Sequence, residues 1–584
     1  MFLAPWLRRR LSSAAGRQGR DRVKSAAFRP RLESLEGRTV PTTIVLTVNT
    51  VSDGNVSGKY LTLRDAITVA DNHADKTYEI DITVPGKIQL QSSLPELKNN
   101  ITIKGAGPGQ TLLKRDAQAA AFRALTVDAG WTVALSDIDI TLGNAGRGNG
   151  GAIDNRGNLT LTDCHLYANS AANGGAVENE KGASLTSIGA TFTGNTATNG
   201  GGAIDNAGTL SASGGAFTNN SAHAGGAIAN FGTATVSQSE FGDGTWTGSN
   251  VAVDGGAIMN SSAATLALGA GANFNDNLAA YDGGAIDNQG TVTASGGSFT
   301  NNSAQDGGAI YNHFDATVSG CTFDSNRSTG TSIIGNGGSP DGGGAIWSDW
   351  SLTVQGNCNF LRNTAAYVGG AIDADNSGSA ATVTVSQSAF SSNSASYGGA
   401  IANSLGTTLS LNAGNTFTGN HASEGGAITN LGTLSTIGAS FKGNHAERNG
   451  GAIVSEGAAT FTSCEFIGNT ASAGGAVFNR NGAMTLSGCQ LLFNQADEGG
   501  AILNTAGVLN VVSGCDVEQN GSPTAGGRGG GIYTTSSSIN GVGVTNIAGS
   551  IVRNNGVDDT FTVTSSGAVL NLDATSIVPH KTTL

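Results

Sequence analysis

The sequence predicts an all-β fold, a single-stranded parallel β-helix in which each short repeat forms one coil, preceded by a short capping helix. The main evidence is the tetrapeptide Gly-Gly-Ala-Ile, which recurs with small variations fifteen times at intervals of 24 to 36 residues. A repeat of this length is typical of a solenoid, because each unit can bury its apolar side only against its neighbours. The copies begin at Gly150, Gly174, Gly201, Gly225, Gly255, Gly283, Gly307, Gly343, Gly369, Gly398, Gly425, Gly450, Gly474, Gly499 and Gly529.

A second repeated signature, an apolar residue followed three positions later by asparagine, lies between the copies of the first. Phe217 with Asn220 is an example. The segment between the two signatures alternates polar and apolar residues, as at 209–213 and 382–386, and this alternation is the pattern of a β-strand. No part of the repeat region keeps a helical period for ten residues, so each unit is expected to form three short strands joined by bends.

Strand alternation predicts which way the side chains after the paired glycines point. The isoleucine is expected to point inward and the next residue outward, and the chemical variety of this next column fits a solvent-facing position. The following column is asparagine in eleven of fifteen copies, and amides stacked about 4.8 Å apart form a hydrogen-bonded, structural ladder. The column predicted to face outward includes Asp154, Glu178, Asp205, Ala229, Met259, Asp287, Tyr311, Trp347 and Asp373.

The six cysteines share one position of the repeat, two residues before the apolar residue of the second signature. Other coils fill this slot with small residues such as Ala190 and Gly215, so cysteine is interpreted there as a small buried side chain. A disulfide between adjacent coils, such as Cys464 with Cys489, is the alternative. The sequence contains no Cys-x-x-Cys pair, so it does not indicate a zinc site. The cysteines are Cys164, Cys321, Cys358, Cys464, Cys489 and Cys515.

The two ends of the chain differ from the repeat region. Residues 1–41 are basic and are expected to be a disordered leader or a sorting segment, and residues 42–145 to form an N-terminal cap and irregular first coils. The repeats occupy 146–555, and 556–584 are expected to form a C-terminal cap. The one convincing helix lies at 61–72, where Thr62 and Asp65 form a start similar to a capping box.

Charge and hydropathy argue against nucleic-acid binding and against a transmembrane helix. The formal net charge of −13 disfavours nucleic acid, because such binding depends on neutralising phosphates. The sequence contains no run of 18 apolar residues, so it does not predict a transmembrane helix.

The paired signatures resemble the repeat of the polymorphic outer membrane proteins of chlamydiae over roughly 150–555. That resemblance implies a right-handed parallel β-helix displayed outside the cell, in a family of adhesin-like proteins. Residues 61–66, Leu-Thr-Leu-Arg-Asp-Ala, are similar to the "CSLREA" region of bacterial surface proteins. Residues 29–41 resemble an N-terminal motif of planctomycete surface proteins, which implies an export or sorting signal.

These observations favour a secreted or cell-surface, adhesin-like protein, extracellular or associated with the outer membrane, that binds a surface glycan or protein without catalysis. One alternative is a polysaccharide lyase or glycoside hydrolase, since many parallel β-helices have these activities. Hydrolysis needs two carboxylates about 5–10 Å apart, and no basic residue of the repeat region recurs beside an acidic cluster, so no catalytic residue is assigned. The other alternative is a structural surface-layer element without a ligand. The sequence indicates no oligomeric state.

An acidic column is the candidate metal site. Asp254, Asp282 and Asp306 precede the paired glycines of three consecutive coils, and stacking places their carboxylates roughly 5 Å apart. Calcium takes oxygen ligands from such groups. The alternative is that the side chains are solvated and splay apart, in which case no cofactor is bound.

An aromatic patch is the candidate ligand-binding site. Tyr311 and Trp347 share a column in adjacent coils, Trp350 lies close by, and residues 327–342 are expected to form a projecting loop. Flat aromatic faces suit sugar rings. The alternative is that these rings pack beneath the loop.

Overall fold

The computed structural model describes most of the chain from residue 43 to its end. The segment Thr43–Leu584 forms one compact unit. The predicted leader, 1–41, and most of the predicted projecting loop lie outside the described residues. The description omits 1–42, 55–58, 74–75, 246, 332–340, 378–380, 524–526, 537–541, 557–558, 563–567, 575, 580 and 584.

Each coil of the repeat region contributes one strand to each of three long parallel sheets. The alternating sheet contains 20 strands, from Ile44–Val48 to Val569–Leu572, and the phenylalanine sheet extends from Gly86–Leu90 to Ile551–Arg553. Pairing is in register from coil to coil, so that Phe217 lies beside Phe241. The predicted all-β solenoid is therefore confirmed.

The isoleucine sheet follows the paired glycines and carries the candidate site. Its strands are short because the chain turns again directly after the asparagine column. They are Leu125–Val127, Ile153–Asn155, Val177–Asn179, Ile204–Asn206, Ile228–Asn230, Ile258–Asn260, Ile286–Asn288, Ile310–Asn312, Ile346–Ser348, Ile372–Ala374, Ile401–Asn403, Ile428–Asn430, Ile453–Ser455, Val477–Arg480, Ile502–Thr505, Ile532–Thr535, Thr560–Thr562 and Lys581–Thr583.

Several coils contain a fourth short strand beyond the three that the sequence predicts, and these strands form a fourth, shorter sheet. This corner sheet forms where the segment leading to the paired glycines pairs with its counterparts in neighbouring coils, and a two-stranded sheet, Ser170–Ala171 with Thr196–Ala197, precedes it. Its strands are Val251–Ala252, Leu278–Ala279, Ser303–Ala304, Arg327–Ser328, Thr364–Ala365, Ser394–Tyr397, His421–Glu424 and His445–Asn449.

Stacked phenylalanines fill the core. Eleven rings from Phe192 to Phe466 are fully buried, and neighbouring ring centroids lie 4.6 to 4.9 Å apart. This spacing equals the distance between paired strands. The six cysteines lie in the same core, buried and free. Burial raises the pKa of the Cys164 thiol to about 11, whereas a hydrogen bond with Cys358 lowers the pKa of Cys321 to about 7. The burial of all six agrees with their interpretation as buried apolar side chains.

Two asparagine ladders hold the turns together. In the predicted ladder, the Nδ2 of Asn155 donates to the Oδ1 of Asn179 at 2.7 Å, and this contact recurs in later coils. In the second ladder, the Oδ1 of Asn220 accepts from both the backbone N–H and the Nδ2 of Asn195, at 3.0 and 3.1 Å. The Asn195 amide also donates to the carbonyl oxygen of Leu166 at 2.8 Å. Buried turn groups are thereby satisfied without water.

Close backbone approach explains the paired glycines. Gly201 has a φ of 62°, and a Cβ there would lie 2.1 Å from the carbonyl oxygen of Ile204. A Cβ on Gly202 would lie 2.1 Å from the carbonyl oxygen of Gly226 in the next coil. Neither position has room for another side chain.

The predicted N-terminal helix spans Leu63–Asp71. The Thr62 hydroxyl caps it by accepting from the backbone N–H of Asp65 at 3.1 Å. Leu63, Ala66, Ile67 and Ala70 are its buried face, which packs against the first two strands of the alternating sheet.

Candidate functional site

The column after each repeat isoleucine is buried, so the prediction that it faces solvent is wrong for most coils. Asp154, Asp287, Trp347 and Asp373 are between 0 and 4% exposed. The reason is that the chain just before the paired glycines, in the same coil or the preceding one, lies against the outer face of the isoleucine sheet. A Cβ on Gly342, just before one such pair, would lie 2.5 Å from the Oδ2 of Asp373.

Three parallel rows of side chains therefore define a groove along this face. We call the residue after each repeat isoleucine the floor, the residues immediately before the paired glycines the ridge, and the residues just after the asparagine column the rim. In one stretch, Ala402 and Thr429 form the floor, Tyr397 belongs to the ridge, and Leu405 and Leu431 belong to the rim.

The first section of the floor is acidic. The carboxylate of Asp154 pairs with the guanidinium groups of Arg123 and Arg156. Burial, together with the neighbouring charges of Asp205 and Glu180, raises the pKa of Glu178 to about 9. Burial and Glu180 raise the pKa of Asp205 to about 7. These two carboxyl groups therefore hold protons that an exposed carboxyl would lose.

The predicted calcium ligands lie on the ridge of the middle section. Asp282 and Asp306 pair as neighbours through a parallel bridge, and Asp254 precedes them in the stack. Asp306 is 6% exposed, so the expectation of an outward, solvated stack is wrong there, because the floor and the next coil cover the side chain. Burial raises the pKa values of Asp282 and Asp306 to about 7, with further upward shifts from neighbouring carboxylates.

The carboxyls of the middle floor are more deeply buried. Burial raises the pKa of Asp287 to about 8, and burial with the charges of Asp375 and Asp306 raises that of Asp373 well above its usual range. Neither oxygen of Asp373 has a hydrogen-bond partner. Among the described residues, no group of three or more His, Cys, Asp or Glu side chains is arranged to hold a metal ion. The two alternatives for the ridge aspartates, a shared calcium ion and no bound cofactor, both stay predictions.

The predicted aromatic site separates into a buried and an exposed pair. Tyr311 and Trp347 stack on the floor with centroids 4.3 Å apart, and Trp347 is only 4% exposed. Trp350 on the rim is 38% exposed and stacks against Phe314 at 5.6 Å. Sequence reasoning missed Phe314, although it occupies the same position of the repeat as Trp350.

The groove opens into a cleft in the coils that follow. Its volume is about 370 Å³, and its floor consists of the small residues Ala402, Thr429 and Val454. Val454 at the end of the cleft packs with Phe478, Leu503 and Tyr533, which continue the floor as an apolar cluster separate from the main core. Sequence reasoning missed the cleft, and the one available signal was the change from Trp347 to small residues in the same column.

Deep burial limits the chemistry of the floor carboxyls. Asp287 and Asp373 are 1% exposed or less, so a polymer lying in the groove cannot reach them as acid or base. The groups that a ligand can touch are the aromatic and aliphatic side chains of ridge and rim and the polar groups of the cleft.

Comparison with known proteins identifies the repeat. Three segments, residues 189–207, 296–313 and 438–456, match the Chlamydia polymorphic membrane protein repeat. The chain carries polymorphic membrane protein repeats. Each matched segment spans the second signature of one coil and the paired glycines that follow it, so the polymorphic repeat covers the core phenylalanine, the buried ladder and the ridge.

Other comparisons add little. The solved structure of the PL6 family alginate lyase AlyGC is 10% identical over 93% of this chain and 88% of that chain, with a TM-score of 0.26. No curated protein sequence matches the chain. The part of the chain that the structure describes contains no helix long and apolar enough to span a membrane.

Proposed function

We propose that the protein is a secreted or cell-surface, adhesin-like β-helix that binds surface glycans or proteins without catalysis. The observation that carries this proposal is a set of exposed, large apolar side chains on the rim. Phe231, Phe314, Trp350, Leu405 and Leu431 are between 38 and 73% exposed. All five belong to the same turn of their coils. Exposed apolar side chains that gather on one face are typical of an interaction surface.

The repeat supports the location. The matched repeat is named for polymorphic membrane proteins of Chlamydia, which supports a location outside the cell or at the outer membrane. The net charge of −13 favours neutral or cationic partners over nucleic acid.

An array of glycans and extracellular proteins, probed with the full chain, tests the proposal. We expect binding to at least one glycan or protein without release of cleavage products. The double substitution Phe314→Ser with Trp350→Ser should weaken binding about tenfold or more, because exposed aromatic rings dominate such contacts.

A matched control removes exposed apolar side chains elsewhere. Ile188 and Ile437, on the alternating sheet, are 46 and 49% exposed, and Ile188→Ser with Ile437→Ser should leave binding unchanged. Cleavage products would instead indicate a polysaccharide-degrading enzyme. A complete absence of binding would indicate a structural surface-layer element.

A further inference from the structure

The cleft lies where small side chains occupy the floor. Ala402, Thr429 and Val454 hold the floor position in three consecutive coils, between the buried Asp373, which follows Trp347, and the large Phe478. The backbone continues in register through these coils, with Ala402 paired to Thr429 and Thr429 to Val454. The volume of about 370 Å³ therefore results from side-chain size alone, and it lies within the range of small-ligand sites.

The walls of the cleft present apolar faces. Tyr367 and Tyr397 form the ridge side, with ring centroids 5.3 Å apart and planes inclined at 62°. Leu405 and Leu431 form the rim side and are 73 and 39% exposed. A flat ligand with C–H groups on its faces would contact an aromatic wall on one side and an aliphatic wall on the other.

One end of the cleft carries a polar cluster. The guanidinium group of Arg480 pairs with Glu424 at 3.2 Å and with Glu456 at 2.9 Å. The amide of Asn449 donates to Glu424 at 2.8 Å. These groups offer both donors and acceptors to hydroxyl groups, as polar anchors do in apolar sites.

The charge of this cluster selects against anionic ligands. Two carboxylates surround one guanidinium, so a uronate or sulfate would meet net negative charge in a chain that is already acidic. Neutral hydroxyl groups suffer no such repulsion.

An extended peptide lacks a place to pair in this cleft. The ridge carbonyl oxygens of Tyr397 and Glu424 already accept from the backbone N–H groups of Gly369 and Gly398, at 3.0 and 3.1 Å. Addition of a β-strand requires free backbone groups at a sheet edge.

We propose that this cleft binds a neutral hexopyranose oligosaccharide, whose ring faces lie between the tyrosine and leucine walls and whose hydroxyl groups contact Glu424, Glu456 and Arg480. This inference rests on the proposed binding function and deepens it, since it names a second site along the groove and its ligand class.

Titration calorimetry of the full chain with four kinds of probe tests the inference. The probes are neutral hexose oligomers of several linkages, oligouronates, chitosan oligomers and an apolar peptide. We expect at least one neutral oligomer to bind with little dependence on salt, and the oligouronates and the peptide not to bind. Failure of every neutral oligomer, or tighter binding of oligouronates, chitosan or peptide, would overturn the proposal.

Matched variants locate the site. Tyr367→Ala should weaken neutral-oligomer binding about tenfold or more, whereas Tyr281→Ala should not. Tyr281 occupies the same position of its coil as Tyr367, two residues before the paired glycines, and is 48% exposed. Ala402→Trp should also abolish binding, because it fills the cleft with the side chain that Trp347 already places on the floor.

The variants also separate this inference from the proposed function. Binding that survives Tyr367→Ala and Ala402→Trp but is lost in the Phe314→Ser, Trp350→Ser protein would keep the adhesin-like function and reject the cleft. Failure of the neutral oligomers together with an empty array would reject both. Circular dichroism and melting temperature establish that each variant is folded.

Discussion

The two halves of the groove floor share one backbone and differ in chemistry. In the first half the buried floor includes Asp154, Glu178, Asp205 and Asp287, and the second half ends in the apolar residues Val454, Phe478, Leu503 and Tyr533. The core beneath is the same in both halves, with stacked apolar rings or aliphatic side chains and the buried asparagine ladder. The comparison shows that the core and ladders specify the coil, which leaves the floor free to vary between carboxyl and hydrocarbon.

The largest expected effect comes from placing an acidic side chain in the apolar half of the floor. Leu503 is 4% exposed and packs with Phe478 and Tyr533. Leu503→Asp places an unpaired carboxylate there, and we expect a loss of about 3–5 kcal/mol in the free energy of unfolding at about pH 8. Denaturant unfolding should show a smaller loss at about pH 5, where the new carboxyl can hold a proton. Leu503→Asn, which cannot ionise, should lack this pH dependence, and equal losses of Leu503→Asp at both pH values would contradict the explanation.

The acidic half should make the whole protein more stable in acid. Glu178, Asp205 and Asp287 have folded-state pKa values of about 9, 7 and 8, raised above their ordinary values of 4.5, 3.8 and 3.8. A raised pKa contributes stability that is complete below the ordinary pKa and is lost as the pH rises through the folded-state value. The free energy of unfolding should therefore decline between about pH 4 and pH 9.

Single isosteric substitutions should show how much each carboxyl contributes to the pH dependence of the free energy of unfolding. Asp287→Asn and Glu178→Gln should each reduce the slope and raise the melting temperature at about pH 8, because each removes the free-energy cost of keeping a buried carboxyl protonated at that pH. The exposed Glu447 provides the control, since Glu447→Gln should not alter the slope. Stability that rises with pH in the wild-type protein would be incompatible with these carboxyls holding protons.

The ridge aspartates should give a smaller effect. Asp282 is flanked by Asp254 and Asp306, and burial together with Asp254 raises its pKa to about 7. We expect Asp282→Asn to raise the melting temperature slightly at about pH 8, and millimolar calcium to leave the wild-type value unchanged. A calcium-dependent rise that Asp282→Asn removes would instead identify the stack as a calcium site, because a ligand of the folded state raises stability by mass action.

The smallest difference between the halves should lie in the thiols. Cys321 and Cys358 lie below the middle of the groove, and Cys464, Cys489 and Cys515 lie below its apolar half, all buried. A colorimetric thiol reagent should find none of these groups reactive in the native protein, and all of them after denaturation. Rapid native labelling of either set would show that the common core opens in that half.

The sequence predicted those features that depend on a single column of the repeat. The asparagine ladder, the inward cysteines and the helix at Leu63–Asp71 each follow from residue type and period. The burial of Asp373 did not follow, because alternation describes one strand and Asp373 is covered by the ridge around Gly342, some thirty residues away. The cleft was missed for a similar reason, since its walls come from separate rows of side chains that only the fold brings together.

The ladders have a consequence for how such a chain changes in length. Every asparagine of the buried ladder from Asn195 to Asn520 accepts from the coil before it and donates to the coil after it. Gain or loss of one complete coil reconnects the ladder, the phenylalanine stack and the ridge at a single junction. Gain or loss of a few residues within a strand would break all three at once. The whole coil is therefore the natural unit of insertion and deletion, and the groove can be lengthened or shortened without a new fold.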